Sequence, residues 1–219
     1  MGNGLSKYES VPLGSYAENP IIVIDASHVR TQATTVIRIK QDWSWTGGDF
    51  TVTDMTTGEL LYTLDARAFS LSQKQLVCDA SGTPICNIKV DTGLTTRFAK
   101  FVVYRGANSG EGEDEGMALK VKAHMNNTNF ELEVETADQG MLILKAAERD
   151  GRTFIWSGHP KQGGILIARC QREATVKAIF DVEVAPGVDL VAITTLLVMA
   201  QSVRDKIRRR REENARRRR

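Results

Sequence analysis

Along most of this chain hydrophobic side chains recur at every second position, in short runs cut by turn residues. The cleanest run is 130–136 (FELEVET), where apolar residues alternate with Glu131, Glu133 and Glu135. Successive strand side chains point to opposite faces, so this period buries one face and wets the other. Comparable runs at 34–40, 49–54, 59–65, 75–79, 84–90, 97–105, 117–124, 141–147, 152–157, 165–170 and 175–184 predict about a dozen strands. Turn signals such as Thr56-Thr57-Gly58 and Ala80-Ser81-Gly82-Thr83 separate neighbours. Helical segments do not alternate with the strands, which excludes βαβ units and predicts a sandwich or a barrel.

Past Pro186-Gly187 the period of two disappears. Residues 188–200 (VDLVAITTLLVMA) are apolar on almost every side, interrupted by Asp189, Thr194 and Thr195. The preceding Pro-Gly and an aspartate near the first turn mark the start of a helix, expected over 188–203. A helix that is hydrophobic all round must be enclosed by protein or by lipid. Thirteen residues reach about 20 Å, short of the roughly 30 Å core of a bilayer. Packing on one sheet face would leave half of the apolar surface in water. A barrel of about twelve strands is wider than its own side chains can fill. The predicted fold is therefore all-β with one helix: a closed barrel of about twelve strands enclosing the hydrophobic C-terminal α-helix.

Two stretches carry a family resemblance. Residues 54–89 contain Thr57-Gly58-Glu59-Leu60, Phe69-Ser70-Leu71 and Asp79-Ala80-Ser81-Gly82 followed by Pro84, and Val184-Ala185-Pro186-Gly187-Val188-Asp189 leads into the apolar helix. This pattern resembles the LURP-one-related proteins, which belong with the Tubby C-terminal and phospholipid scramblase superfamily. The resemblance covers about residues 20–205 and implies a twelve-stranded barrel around a central hydrophobic helix. It leaves function open, because members of that superfamily differ in function.

The flanks divide the chain. Residues 1–20 are rich in Gly, Ser and Pro and read as a flexible N-terminal arm. Residues 21–203 form the barrel with its helix, and 204–219 a polybasic tail. The tail holds ten of the 29 basic and three of the 27 acidic residues, so a mildly acidic body carries a strongly basic end. Such an end suits an anionic partner. The candidates are Arg208, Arg209, Arg210, Arg211, Arg216, Arg217, Arg218 and Arg219. Three readings stand for them: an anionic membrane surface, nuclear targeting or nucleic acid, and plain solubility. Glu212-Glu213-Asn214-Ala215 and the lack of aromatic residues argue against base stacking. At the other end Met1-Gly2-Asn3-Gly4-Leu5-Ser6 fits the N-myristoylation pattern, with Gly2 as acceptor. A single myristoyl chain binds membranes with about 10⁴ M⁻¹ and needs a second signal. No cysteine precedes Cys78 for palmitoylation, which leaves the basic tail.

Catalytic signatures are missing from the sequence: there is no G-x-S-x-G, P-loop, G-x-G-x-x-G or H-E-x-x-H. No metal-ligand spacing links His28, His124 and His159 to one another or to Cys78, Cys86 and Cys170. The odd cysteine count argues for a reducing compartment. The acidic stretch 106–116 lacks the ligand spacing of an EF-hand and reads as a solvated connector. Trp43, Trp45 and Trp156 read as core or barrel-end packing. Arg38 with Lys40, and Lys120 with Lys122, each project two positive charges from one strand face. Basic wall residues of Tubby-like domains bind phosphoinositide headgroups, so the resemblance suggests that role for these four. The expectation is a monomeric, non-enzymatic, cofactor-free adaptor that binds lipid or signals while tethered to the cytosolic face of a membrane, with an unidentified protein partner. Scramblase-like lipid translocation and a soluble nuclear regulator are the alternatives.

Overall fold

The structure, a computed structural model, describes residues 5–42, 49–65, 74–91, 98–107, 116–125, 129–137, 140–147, 151–172 and 179–217. Twelve strands form its body: β2 (Thr35–Asp42), β3 (Asp49–Asp54), β4 (Leu60–Asp65), β5 (Lys74–Asp79), β6 (Pro84–Asp91), β7 (Phe98–Arg105), β8 (Met117–Met125), β9 (Asn129–Thr136), β10 (Met141–Ala147), β11 (Arg152–Ser157), β12 (Ile165–Arg172) and β13 (Ile179–Val184). Each pairs antiparallel with its sequence neighbour. β13 returns to β2, with Val182 opposite Ile37, and closes the barrel. Closure pairs every strand on both sides and leaves the barrel no open edge. A short outlier, β1 (Val29–Arg30), pairs with β14 (Val188–Asp189).

The alternation read from the sequence points inward as predicted: Phe130, Leu132 and Val134 are buried on β9 while Glu131 and Glu133 stay half-exposed. What these inward rows pack against is α1 (Leu190–Arg216), which occupies the lumen. Every residue from Leu190 to Gln201 is buried, Thr194 and Thr195 included. The expected barrel around a helix is the fold. The helix is longer than the predicted 188–203, and at 1.5 Å per residue its 27 residues extend about 40 Å.

Strands alternate in direction, so the barrel has two unlike ends. At the base the helix enters, and Asp189 organises that end. Its carboxylate is fully buried. Oδ1 accepts from Val191 N (2.9 Å) and Ala192 N (3.1 Å), capping the helix. Oδ2 accepts from Val23 N, Ile24 N and Asp25 N at 3.2, 2.7 and 3.1 Å. One side chain thus satisfies donors from the helix and from a segment some 165 residues away. Gly187, at φ 79°, passes so close to the backbone of Tyr16 that a Cβ would stand 2.1 Å from its carbonyl oxygen. Only glycine fits there.

Two boundaries move. Arg204, assigned to the solvated tail from its charge, lies inside the barrel at 2% exposure. It donates to Thr153 Oγ1 at 2.5 Å, and its guanidinium lies 5.5 Å and 5.9 Å from the ring centroids of Phe130 and Phe180. Aromatic faces accommodate a buried guanidinium in a way that a charge count does not reveal. Ile207 is the last buried residue, so the solvated tail starts at Arg208.

The stretch expected to be a flexible arm is, from Leu5 onward, a strap on the outer wall. Leu5, with Tyr8, Val11 and Leu13, covers Phe154, Trp156 and Leu166 in a second apolar cluster outside the barrel. Tyr8 meets Trp156 edge-on at 4.7 Å between ring centroids. The carboxylate of Glu9 pairs with Arg152. Gly14 N donates to Leu166 O at 2.8 Å. The reason is local: these outward positions of β11 and β12 are apolar and need cover. Trp156 is packed as expected, whereas Trp43 and Trp45 lie outside the described residues.

Replacing Asp189 with Ala removes a helix cap and strands buried N–H groups. It should lower unfolding stability by about 3 kcal/mol or more, measured by denaturant titration. A loss below about 1 kcal/mol would mean that the base end does not depend on this carboxylate.

Candidate anion-binding surface

Register decides which outward lysines are neighbours. On β7 and β8, Lys100 stands directly opposite Lys122, and Val102 opposite Lys120. On the other side of β7, Val102 faces Lys89 of β6. Lys89, Lys100, Lys120 and Lys122 are all exposed. Directly opposed Cβ atoms are about 5 Å apart. Strands lie about 4.8 Å apart, so Lys89 and Lys120, two strands apart, are separated by about 10 Å. Four ammonium groups therefore share one small patch of wall.

Neighbouring carboxylates are partly engaged elsewhere. Glu133 lies across from Lys122 in register, yet its Oε2 contacts His124 Nε2 at 3.1 Å. Glu131 accepts from Lys145 Nζ at 2.5 Å. Asp91 is the other register neighbour of Lys100, and Glu135 faces Lys120. Lys89, Lys100 and Lys122 make no hydrogen bond or ion pair with a side chain that the structure describes, and the side chain of Asp91 is not among those. Like charges directly opposite each other destabilise a sheet, and the acidic register neighbours Asp91 and Glu133 stand outside the Lys100/Lys122 pair rather than between its members.

The other predicted pair is elsewhere. β2 and β8 are six strands apart in either direction around the twelve, so Arg38 and Lys40 occupy the wall opposite Lys120 and Lys122. Arg38 is compensated there. Its Nε and Nη2 donate to Asp181 Oδ1 and Oδ2 at 2.7 and 2.8 Å, a bidentate pair. Arg169 Nε donates to Glu183 Oε2 at 2.8 Å on the same side. The structure thus puts the two pairs on opposite walls, with Arg38 ion-paired on one and Lys120 and Lys122 forming half of a larger lysine patch on the other. Lys89 and Lys100 escaped the sequence reading because only strand register makes them neighbours of Lys120 and Lys122.

The patch leans toward the mouth, where α1 leaves the barrel: Lys100 follows the first residues of β7, and Lys122 precedes the last of β8. Arg208, Arg209, Arg216 and Arg217 are exposed on the emerging helix, and Arg210 and Arg211 are half-buried. At 100° per residue Arg208–Arg211 point around the whole axis rather than along one stripe. Arg208 Nη2 pairs with Asp205 at 2.9 Å. Burial, with nearby Arg210, holds the Lys206 ammonium below its usual range. Gly2, Arg218 and Arg219 lie outside the described residues, as do 108–115 of the acidic stretch.

Little else resembles a site. Among the described residues no group of three or more His, Cys, Asp or Glu is placed to hold a metal ion. No described helix is long and apolar enough to cross a membrane. His159 caps a helical turn by accepting from Lys161 N at 3.2 Å, and His28 packs edge-on against Tyr62. At the base a cleft of about 360 Å³ is lined by Ser27, Arg30, Tyr62 and Asp79 among others, but Arg30 is already paired with Asp54. Burial pushes the Cys86 and Cys170 thiols up to about 12. Cys78, less enclosed, is raised as well.

Comparison with known proteins follows the fold. The family model described as LURP-one-related matches residues 34–201. Protein LURP-one-related 15 of Arabidopsis thaliana is 23% identical over 194 residues, covering 83% of this chain and 85% of the relative. Protein LURP-one-related 10 of the same plant is 26% identical over 176 residues, covering 75% and 87%. An X-ray structure of an Arabidopsis thaliana protein aligns with a TM-score of 0.60 at 21% identity, over 83% of this chain and 98% of that one.

Two measurements probe this surface and the core behind it. Lys100→Thr, which relieves the opposed charges, should leave stability unchanged or raise it by about 0.2–1 kcal/mol in thermal unfolding. A clear loss would show that Lys100 serves the fold. In the native protein at pH 8 a thiol reagent should label Cys78 only, and all three thiols in denaturant; native labelling of Cys86 or Cys170 would contradict their burial.

Proposed function

This chain belongs to the LURP-one-related family, and from that premise we propose that it is a non-catalytic adaptor that docks on an anionic membrane surface through its lysine wall and basic tail. The observation that carries the reading is the Lys100/Lys122 opposition, flanked by Lys89 and Lys120. A polyphosphorylated headgroup, as in a phosphoinositide, offers several negative charges within about the same 10 Å and relieves that repulsion. The arginines that leave the mouth beside the patch supply a second attraction. Each basic residue close to an anionic surface contributes about 1 kcal/mol. A myristoyl group on Gly2, marginal alone, becomes a stable anchor in combination with them. The place of action in this reading is the cytosolic leaflet, with the wall opposite the lysines left to present a protein partner.

Co-sedimentation with phosphatidylcholine vesicles, with and without phosphoinositide, tests the proposal. The paired substitutions Lys100→Thr and Lys122→Thr should weaken phosphoinositide-dependent binding by about tenfold or more, two lost contacts at roughly 1 kcal/mol each. Neutralising Arg208–Arg211 should flatten the salt dependence. Gly2→Ala should release the protein from membranes in cells. Binding indifferent to the lysines and to the tail, or an equal preference for duplex DNA, would overturn the membrane reading.

A further inference from the structure

The N-terminal strap has the construction of a latch. Phe154, Trp156 and Leu166 form a cluster of large apolar side chains on the outward face of β11 and β12, and residues 5–13 cover it. The strap joins no sheet: within it the backbone bonds are internal, from Tyr8 N to Leu5 O and from Val11 N to Tyr8 O. Its polar attachments converge on Glu9. The carboxylate pairs with Arg152 of β11, and the backbone carbonyl accepts from Arg169 Nη1 of β12 at 3.0 Å. Beyond it the chain is fixed at Gly14, which bonds to Leu166 O and whose Cβ would stand 2.3 Å from Ile165 Cγ2. A segment with no ladder, one ionic point and, among its described side chains, Leu5 alone buried opens at lower cost than the barrel it covers.

Position gives this latch a consequence. β7, at the middle of the lysine patch, lies four strands from β11 and five from β12 around the twelve. The two faces are turned more than 90° apart, so a flat surface touching the lysines does not touch the docked strap. Leu5 is three residues from Gly2, and three residues span at most about 11 Å. Once released, the twelve residues from Gly14 to Gly2 reach about 40 Å, more than the roughly 30 Å length of the longest strand. The freed N-terminus then reaches the plane that the lysine wall faces.

We infer that residues 5–13 are a releasable latch, held by Glu9 on Arg152 and Arg169, which keeps an acylated N-terminus away from the lysine wall until it opens. The inference rests on the membrane reading above for its purpose, though not for its mechanics.

The test uses the full chain, with and without myristate on Gly2, as wild type, Glu9→Lys, and Glu9→Lys combined with Arg152→Glu. Amide hydrogen exchange over 5–13 should quicken about tenfold in Glu9→Lys, recover in the charge swap, and leave protection of β2–β13 unchanged. Acylated Glu9→Lys should bind phosphoinositide vesicles about tenfold more tightly than acylated wild type, with no difference between the unacylated pair. Unchanged exchange in Glu9→Lys refutes the latch. Loss of protection throughout the barrel makes the strap a structural part instead. Faster exchange without tighter binding, in protein whose binding still needs Lys100 and Lys122, removes the gating role. If no form binds vesicles, the membrane reading fails while the exchange data still decide whether the strap opens.

Discussion

A ring of twelve paired strands encloses more space than its inward side chains fill, and an all-round apolar helix has no stable home in water. Each problem is solved only by the other element. That mutual enclosure settles where this protein has room for recognition. A lipocalin-like barrel of eight strands keeps a ligand in its lumen; here Leu190 to Gln201 take that volume, and Arg204 closes the row above them. Binding chemistry is left to the outer wall, the ends and the extension beyond the mouth.

On that outer wall the charges are distributed unevenly. Around β11, β12, β13 and β2, each of Arg38, Arg152 and Arg169 faces a carboxylate, from Asp181, Glu9 and Glu183. Partly exposed pairs of this kind contribute little stability, yet they cancel the local field. Around β6, β7 and β8 cancellation is incomplete, because Glu133 and Glu131 lean toward His124 and Lys145. The contrast lies in partners rather than in the number of cations, which is why composition alone cannot locate the patch.

How far the sequence was legible follows from the range of each interaction. Period-two runs and the apolar stretch after Gly187 are local signals, and they led to the barrel and its helix, with the resemblance in the stretches around Gly58 and Pro186 pointing the same way. Asp189 could be read as a helix start, but not as the acceptor for Val23, Ile24 and Asp25, since that depends on chain from the opposite terminus. Arg204 was misread because its charge is local and its aromatic neighbours, Phe130 and Phe180, are not. The strap went unrecognised for a similar reason: Leu5, Tyr8, Val11 and Leu13 have no period of their own, and their partners lie about 150 residues away. Lys89 and Lys100 needed register, which no single strand contains.

The position of the helix after every barrel strand bears on biosynthesis. A ribosome delivers all twelve barrel strands before α1, so a nascent barrel has nothing to fill it until the helix emerges. Closure joins Thr35 to Val184, and the base is sealed by residues 23–25 on Asp189, contacts that span most of the polypeptide. Such non-local pairing folds slowly and leaves strand edges bare in the meantime. Nonsense or frameshift alleles upstream of Leu190 would therefore yield chains bound for chaperones and proteolysis rather than trimmed but working proteins.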